Sequence, residues 1–192
     1  IAFDGDVDRL GVVDEKGSLL YGDRLLGVLA KRALGEKPGA KIVFEVKCSQ
    51  ALGEYIRSLG GKPIMWKTGH SLIKAKMKEE GAALGGEMSG HMFFALGWYG
   101  FDDALLAAAK VIEIVAQSNK KVSEIASEMP IYASSPEYRI DFPDPEKFTF
   151  VEKAKKYFSK KHKVVAIDGC RVVFDYGWAL IRASNTQPKL II

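Results

Sequence analysis

Three aspartates at alternate positions, Asp4, Asp6 and Asp8, are followed directly by Arg9 near the start of the chain. In an extended or tightly turned backbone this spacing lets the three carboxylates converge on one side. Mg²⁺ binds oxygen ligands and keeps some of its waters, so such a group suits it. The apolar residues before and after the acidic segment indicate strand ends that would brace it. The segment therefore predicts a Mg²⁺ site that, together with Arg9, faces a phosphate group.

The same acidic segment also fits part of an EF-hand calcium loop. The three aspartates would take its first, third and fifth places, and Glu15 its twelfth. The sixth place requires glycine for a sharp turn, but Arg9 stands there. Residues 10–14 form a short apolar run that suits a strand better than the helix an EF-hand needs. A calcium module is therefore the weaker interpretation, and a solvated acidic turn is the other alternative.

A glycine-rich stretch after a predicted strand contains a carboxylate, a hydroxyl and an imidazole, supplied by Glu87, Ser89 and His91. Glycines let the backbone approach a ligand closely. One carboxylate accepts hydrogen bonds from two neighbouring hydroxyls of a sugar, and a serine adds a further donor or acceptor. The stretch fits a sugar-binding loop and, equally, a tight hairpin with exposed polar residues.

A second polar loop near the end of the chain is denser in anion-binding groups. It contains a guanidinium, two hydroxyls and an amide, on Arg182, Ser184, Thr186 and Asn185, and Pro188 closes it. Charged donors and successive backbone N–H groups in a turn bind tetrahedral oxyanions. A phosphate pocket is favoured here over an ordinary polar loop between two strands.

Two further side chains with useful chemistry follow predicted strands. Lys47 comes directly after the strand at residues 41–46, and His70 comes shortly after the strand at residues 63–66. Parallel sheets bind ligands at the carboxyl ends of their strands, so an ammonium and an imidazole would meet at one cleft. His70 fits a surface loop equally well.

The elements that must position these groups alternate between strand and helix from residue 21 to about residue 129. Strands are expected at residues 41–46, 63–66 and 82–85, and helices are expected to begin near Asp23, Ser49, Ser71 and Asp102 or Asp103. This alternation predicts right-handed βαβ units and a mainly parallel sheet.

The pattern changes after residues 129–136, which predict a linker. Strands near residues 137–142, 164–168, 172–175 and 178–182 accompany one helix at about 144–159. Short strands joined by Asp-Gly-type turns favour antiparallel pairing. The fold class expected for the chain is α/β, with a mainly parallel sheet and flanking helices, followed by a smaller α+β domain with an antiparallel sheet.

The composition of the 192 residues, 47% hydrophobic and 27% charged with a net charge of +4, is typical of a globular protein. No apolar run approaches the ~18–20 residues that a membrane span needs. The mild positive charge has no accompanying aromatic-basic pattern, so neither nucleic acid nor a membrane is expected as a partner. Cys48 and Cys170 are far apart and without metal-ligand spacing, which favours buried free thiols and a cytoplasmic location.

Taken in order, three segments resemble the metal, sugar and phosphate loops of the α-D-phosphohexomutases. We call residues 4–9 the metal loop, residues 86–91 the sugar loop and residues 182–188 the phosphate loop. The Glu-Met-Ser-Gly-His and Ser-Asn-Thr forms of the last two resemble the phosphomannomutase/phosphoglucomutase branch. Val7 departs from the pattern, because family members often have glycine there; its side chain is expected to point away from the ion.

The resemblance implies reversible conversion of a hexose 6-phosphate to a hexose 1-phosphate, of mannose, glucose or both, through a phosphoserine enzyme and a bisphosphorylated sugar. It implies Mg²⁺ on the three aspartates, with the phosphoserine bound to it. Sugar hydroxyls would be held by Glu87 and Ser89, and the phosphate that is not reacting by Arg182, Ser184, Asn185 and Thr186. The catalytic residues implied are Arg9, Lys47, His70 and His91.

The family has four domains around a central cleft. By resemblance, residues 1–20 would end the second domain, 21–130 would form the third, and 131–192 most of the fourth. The first domain would carry the phosphoserine, and no Ser-His-Asn-Pro-like loop occurs here, so the chain alone is expected to be an inactive fragment whose partners are hexose phosphate and its missing N-terminal domains. A non-catalytic phosphosugar-binding module is the alternative from another class.

Overall fold

The computed structural model describes all residues, 1–192, and contains twelve β-strands and six α-helices. The strands are β1 (Ala2–Phe3), β2 (Leu10–Val13), β3 (Leu19–Leu20), β4 (Lys41–Glu45), β5 (Lys62–Trp66), β6 (Leu84–Gly86), β7 (Met92–Phe94), β8 (Arg139–Asp141), β9 (Lys163–Val165), β10 (Cys170–Phe174), β11 (Gly177–Ala183) and β12 (Lys189–Ile191). The helices are α1 (Gly22–Glu36), α2 (Gln50–Ser58), α3 (His70–Glu80), α4 (Ala104–Ser118), α5 (Val122–Ala126) and α6 (Asp144–Phe158).

The strands form three sheets. A small antiparallel sheet has the order β1-β2-β3, and a four-stranded sheet has the order β5-β4-β6-β7. In the latter, β4 pairs in parallel with β5 and β6, while β7 is antiparallel to β6. The third sheet, β8-β12-β11-β10-β9, is antiparallel throughout. The expected fold class, α/β followed by a smaller α+β portion, is confirmed.

Strand β4 lies inside the mixed sheet because its sequence is apolar on both faces. Ile42, Val43 and Phe44 are all buried, as a strand with neighbours on both sides and packing on both faces requires. The carboxyl ends of β4, β5 and β6 lead into Lys47, His70 and Glu87 respectively, the residues predicted to share one edge. The central sheet therefore sets where the candidate side chains emerge.

Strand β7 was not expected, and it shows that the sugar loop joins the two strands of an antiparallel hairpin. The backbone N–H of Glu87 donates to the carbonyl of His91 at 3.0 Å, and that of Gly90 donates to the carbonyl of Glu87 at 3.1 Å. The alternative interpretation as a tight hairpin was right in that the loop joins two antiparallel strands. It was wrong about exposure for Glu87, whose accessible fraction is only 3%.

Two helix starts follow the local sequence rules. Ser49 caps α2, and its hydroxyl accepts from the backbone N–H of Ala51. Asp103 caps α4 and accepts from the backbone N–H of Leu106 at 2.8 Å. The capping residue of α4 is therefore Asp103 and not its neighbour Asp102, which is left with another role.

The expected cap at Asp23 is wrong. Helix α1 begins at Gly22, its N-cap residue is Tyr21, two residues before Asp23, and no side chain caps it. The buried carboxylate of Asp23 instead accepts from the backbone N–H of Ser49 at 3.0 Å, 26 residues away. This aspartate ties the starts of α1 and α2 together.

The chain forms two compact units, Ile1–Tyr132 and Ala133–Ile192. The larger unit contains the first two sheets with α1 to α5, and the smaller contains the third sheet with α6. The finer division, with residues 1–20 as a separate domain, stays a prediction. Cys48 and Cys170 are buried free thiols. No helix has both the length and the apolar character that crossing a membrane requires.

Candidate functional site

The metal loop lies between strands β1 and β2, which pair with each other in an antiparallel register. One carboxylate oxygen from each of Asp4, Asp6 and Asp8 lies within 4.8 Å of the others. The Oδ1 atom of Asp8 is buried and makes no hydrogen bond. Three converging hard oxygen ligands, one of them without a hydrogen-bonding partner, fit Mg²⁺.

The side chain of Arg9 folds back onto these aspartates. Its Nε atom lies 2.8 Å from Asp4 Oδ2 and 3.5 Å from Asp8 Oδ1, and its backbone N–H donates to Asp4. Partial burial works to raise the pKa of Asp4, but the Arg9 N–H and guanidinium charge outweigh it and hold this pKa below its usual value. Arg9 therefore keeps Asp4 ionised and offsets part of the negative charge of the loop.

The calcium-module alternative is wrong. An EF-hand loop is flanked by helices, whereas this loop is flanked by β1 and β2. Glu15, which would supply the twelfth ligand, instead accepts hydrogen bonds from the backbone N–H and hydroxyl of Ser123.

The metal loop and the sugar loop are joined through their backbones. The N–H of Leu10 donates to the carbonyl of Gly90 at 3.1 Å, and Arg9 and His91 form an isolated antiparallel bridge. Gly90 has φ +98°, and a Cβ there would lie 2.6 Å from the carbonyl oxygen of Leu10. Glycine is required here because the two loops touch through main-chain atoms.

Glu87 is the buried carboxylate of the sugar loop. Its Oε1 atom accepts from the backbone N–H of Gly69, at the start of α3, at 2.6 Å. Burial and the nearby charge of Glu45 raise the pKa of Glu87 to about 7, against the lowering effects of Gly69 and Lys47. A carboxylate in this condition is held in one orientation and titrates near neutrality. Ser89, by contrast, is exposed on the loop.

Glu45 is a site residue that the sequence analysis missed. It lies at the end of β4 with no exposed surface, and its Oε1 atom accepts from the backbone N–H of Met88 at 2.7 Å. Lys47 Nζ is 3.8 Å from the same oxygen. Its position at the carboxyl end of a strand made Glu45 a candidate site residue. The neighbouring sequence, however, gave no sign that its side chain contacts a loop 43 residues away.

The two histidines expected at the cleft lie together. The rings of His70 and His91 are stacked with centroids 5.8 Å apart, and the Nδ1 atom of His91 is 3.7 Å from Asp8 Oδ2. His91 is buried, whereas the side chain of His70 is 56% exposed. The larger unit thus brings the metal loop, both histidines, Lys47 and the sugar loop into one neighbourhood.

Asp102 also belongs to this neighbourhood, although the sequence suggested only a possible helix cap. Its carboxylate accepts from Lys74 Nζ at 3.0 Å and lies 3.2 Å from His91 Nδ1. Burial works to raise its pKa, but Lys74 and the charge of His91 hold this pKa below its usual value.

In the smaller unit, the phosphate loop connects β11 to β12. Arg182 is buried; its Nη2 atom lies 3.1 Å from Asp168 Oδ2, and its Nε makes no hydrogen bond. The hydroxyl of Ser184 accepts from the backbone N–H groups of Thr186 and Gln187 at 3.4 and 3.2 Å. Residues 185–188 are exposed. A turn of amides beside a fixed guanidinium is suited to binding an oxyanion.

Lys147 is the third residue whose role the sequence analysis missed. It sits on α6, is almost fully buried, and donates from Nζ to the carbonyl of Gln187 at 2.9 Å. It also pairs with Asp144 one turn earlier. The buried ammonium holds the phosphate loop against α6, and Asp144 offsets its charge. Its sequence context, a lysine in an amphipathic helix, is that of a solvated residue.

Comparisons with known proteins identify the family. Residues 21–132 match the family model for phosphoglucomutase/phosphomannomutase, alpha/beta/alpha domain III, and residues 137–192 match that for the C-terminal domain. The phosphomannomutase/phosphoglucomutase of Pseudomonas aeruginosa is 46% identical over 193 residues, and the phosphoglucomutase of Neisseria gonorrhoeae 45% over 195. Both matches cover all of this chain but 42% of those proteins.

A crystal structure of a phosphoglucomutase/phosphomannomutase family protein from Burkholderia thailandensis superposes with a TM-score of 0.88 and 44% identity. The match covers 99% of this chain and 40% of that one. The resemblance to this family is thereby confirmed, and the chain belongs to the phosphoglucomutase/phosphomannomutase family of α-D-phosphohexomutases.

Proposed function

We propose that the whole protein containing this chain is a phosphohexomutase that interconverts the 6-phosphate and 1-phosphate of mannose, glucose or both. The observation that carries the proposal is the backbone junction of Leu10 with Gly90, which holds a three-carboxylate loop against a loop bearing a buried glutamate. A cation site and a sugar-hydroxyl site then adjoin, as transfer of a phosphoryl group to a sugar requires. The family match and the names of the relatives support the same activity.

Phosphoryl transfer depends mainly on positioning and on neutralising charge. Bound Mg²⁺ would be held by Asp4, Asp6 and Asp8 and would neutralise charge on the phosphoryl group. Arg9 adds a positive charge beside these carboxylates. None of these groups donates a phosphoryl group, so the proposal places the phosphoserine in a part of the protein outside residues 1–192.

The sugar is held by Glu87 and Ser89. When ionised, Glu87 accepts hydrogen bonds from two neighbouring hydroxyls, and its contact with Gly69 leaves its second oxygen for a ligand. Lys47 and His70 orient phosphate, and His91 holds or accepts a proton at a ring nitrogen. Glu87 binds hydroxyls that the sugar presents in both of its orientations, so the same site accepts the 1-phosphate and the 6-phosphate.

The phosphate that is not reacting is held by the phosphate loop. Arg182 supplies the charge, and Ser184, Asn185 and Thr186 supply hydroxyl, amide and backbone donors. Charge-assisted contacts of this kind are about twice as strong as neutral ones. We further propose a cytoplasmic location, which the two free, buried thiols favour.

The experiment is a coupled assay of hexose 1-phosphate conversion by the full-length protein, with and without Mg²⁺. We expect Mg²⁺-dependent turnover, a severe loss in Glu87→Gln, and no change in Glu79→Gln, whose side chain is 65% exposed on α3. Tight binding of hexose phosphate without turnover by the wild-type protein would favour the non-catalytic binding module. Absence of both binding and turnover would refute the proposal.

A further inference from the structure

Asp102 occupies a place that the proposed mechanism leaves without a role. It immediately precedes Asp103, the residue that caps α4, and its own backbone forms an isolated bridge with Phe93 in β7. Its carboxylate is one-tenth exposed. The bridge to β7 fixes Asp102 two residues along the strand from His91, so the carboxylate reaches the inner side of the sugar loop.

The two oxygens of Asp102 have separate partners. Oδ1 accepts from Lys74 Nζ at 3.0 Å, whereas Oδ2 lies 3.2 Å from His91 Nδ1 and 3.6 Å from His70 Nδ1. One carboxylate thus gathers three nitrogen side chains. Lys74 and His70 come from α3, and His91 comes from the sugar loop, so the contacts tie separate elements together.

A carboxylate beside one ring nitrogen of a histidine decides which nitrogen carries the proton. When Nδ1 donates to the carboxylate, Nε2 is left as an acceptor facing away from it. His91 is nine-tenths buried, and Nδ1 makes no aligned hydrogen bond in this conformation. In unliganded sites such contacts are often long and tighten when the ligand binds.

We propose that Asp102 is the positioning residue of His91: it holds the proton on Nδ1 and presents Nε2 to the ligand. The expected effect of Asp102 on turnover rests on the proposed mutase function. The position of the proton on His91 does not depend on that function. Asp102 touches no reacting atom itself; it acts through His91 and, at longer range, through His70.

A metal ion shared by Asp8, His91 and Asp102 is a competing explanation of the same geometry, because their ligand atoms lie within 4.8 Å of one another. Charge disfavours it. Lys74 already neutralises Asp102. Asp8 belongs to the three-carboxylate group proposed to hold Mg²⁺, and a second cation beside it would be repelled, so the proton on His91 is the better occupant of this space.

The experiment measures the tautomer of His91 in the full-length protein by two-dimensional nitrogen NMR of labelled histidine rings at alkaline pH. The signals of His91 are assigned from their loss in His91→Gln. We expect the Nδ1–H tautomer in the wild-type protein. Asp102→Asn should shift the population towards Nε2–H, because an amide can donate to Nδ1. Asp103→Asn is the matched control, since asparagine also caps helices.

Steady-state kinetics form the second measurement. Asp102→Asn should lower kcat about 10–100-fold, as loss of a group that orients a functional histidine does, with KM changed less than threefold. Asp103→Asn should leave both constants unchanged. Finding the Nε2–H tautomer in the wild-type protein, or the same tautomer in wild type and Asp102→Asn, would overturn the proposal. A protein without turnover would defeat the mutase assignment, while the NMR result would still decide the role of Asp102.

Discussion

The carboxylate of Glu45 accepts a hydrogen bond from the backbone N–H of Met88 at 2.7 Å. A fully buried side chain at the end of β4 thus supports the sugar loop from below, while Glu87, one residue before Met88, is held from the side by Gly69. The hydrogen bonds to these two buried carboxylates hold the loop in place, and burial beside Glu45 makes the ionisation of Glu87 costly. The sugar loop is therefore both well positioned and sensitive to pH.

The stability of the protein should fall as pH rises through the range from about 4.5 to about 7, because of Glu87. Its pKa is near 7 in the folded protein and 4.5 as a model value, so the folded state holds the proton more tightly in that window. The full effect is about 3 kcal/mol.

Urea unfolding at pH 5 and pH 8 measures this effect. Between these two pH values the free energy of unfolding of Glu87→Gln should fall less than that of the wild type, by most of the ~3 kcal/mol. In Glu79→Gln the fall should equal that of the wild type. An unchanged pH dependence in Glu87→Gln would show that Glu87 does not titrate in this range.

Gly22→Ala should destabilise the protein by about 1–3 kcal/mol, the usual cost of overpacking. A Cβ on Gly22 would lie 2.2 Å from the carbonyl oxygen of Glu87 and 2.7 Å from that of Met88, so α1 and the sugar loop would have to separate. Binding of hexose phosphate should weaken as well, because the loop shifts.

Gly35→Ala is the matched control, since Gly35 lies in the same helix with nothing within 4 Å of the added carbon. It should raise the free energy of unfolding by about 0.5–1 kcal/mol. Chemical denaturation and calorimetric titration with hexose phosphate measure both effects. Equal free energies of unfolding and equal affinities in the two variants would contradict the close contact of Gly22 with the sugar loop.

Val7→Gly should stabilise the protein by about 1 kcal/mol. Val7 has φ +61° in the metal loop, a conformation that is strained for a β-branched residue and free of strain for glycine. The control is Val13→Gly, on exposed β2 backbone without a positive φ, where glycine should lower stability by about 0.5–1 kcal/mol. Chemical denaturation measures both effects. A midpoint above that of the wild type for Val7→Gly, and below it for Val13→Gly, would confirm the strain at Val7.

Arg182→Ala should weaken binding of hexose phosphate by about 1.5–3 kcal/mol, the range for a hydrogen bond to a charged group, which is roughly 10–150-fold in Kd. Arg182 is buried and fixed by Asp168, so its charge is directed and little screened. Arg139→Ala is the control in the same unit, because its side chain is 61% exposed. Calorimetric titration of the full-length protein compares them, and equal affinities would remove Arg182 from the site.

The sequence alone determined the fold class, because alternation of strands and helices and the burial of β4 follow from local hydrophobic periodicity. It also placed the three loops and the cap at Ser49, because a cap and a loop composition are properties of a few adjacent residues. It misassigned Asp23, since an aspartate before an apolar helix looks like a cap whether or not its partner is nearby.

Only the tertiary structure revealed the contacts of Glu45 and Asp102 with the sugar loop and of Lys147 with the phosphate loop. Each is a charged residue whose partner lies well away in the chain, 43 residues in the pair of Glu45 with Met88 and 40 in that of Lys147 with Gln187. Burying such a group costs free energy unless folding brings it a partner. The packing of elements that are distant in the sequence determines that partner, so a local sequence pattern does not predict it.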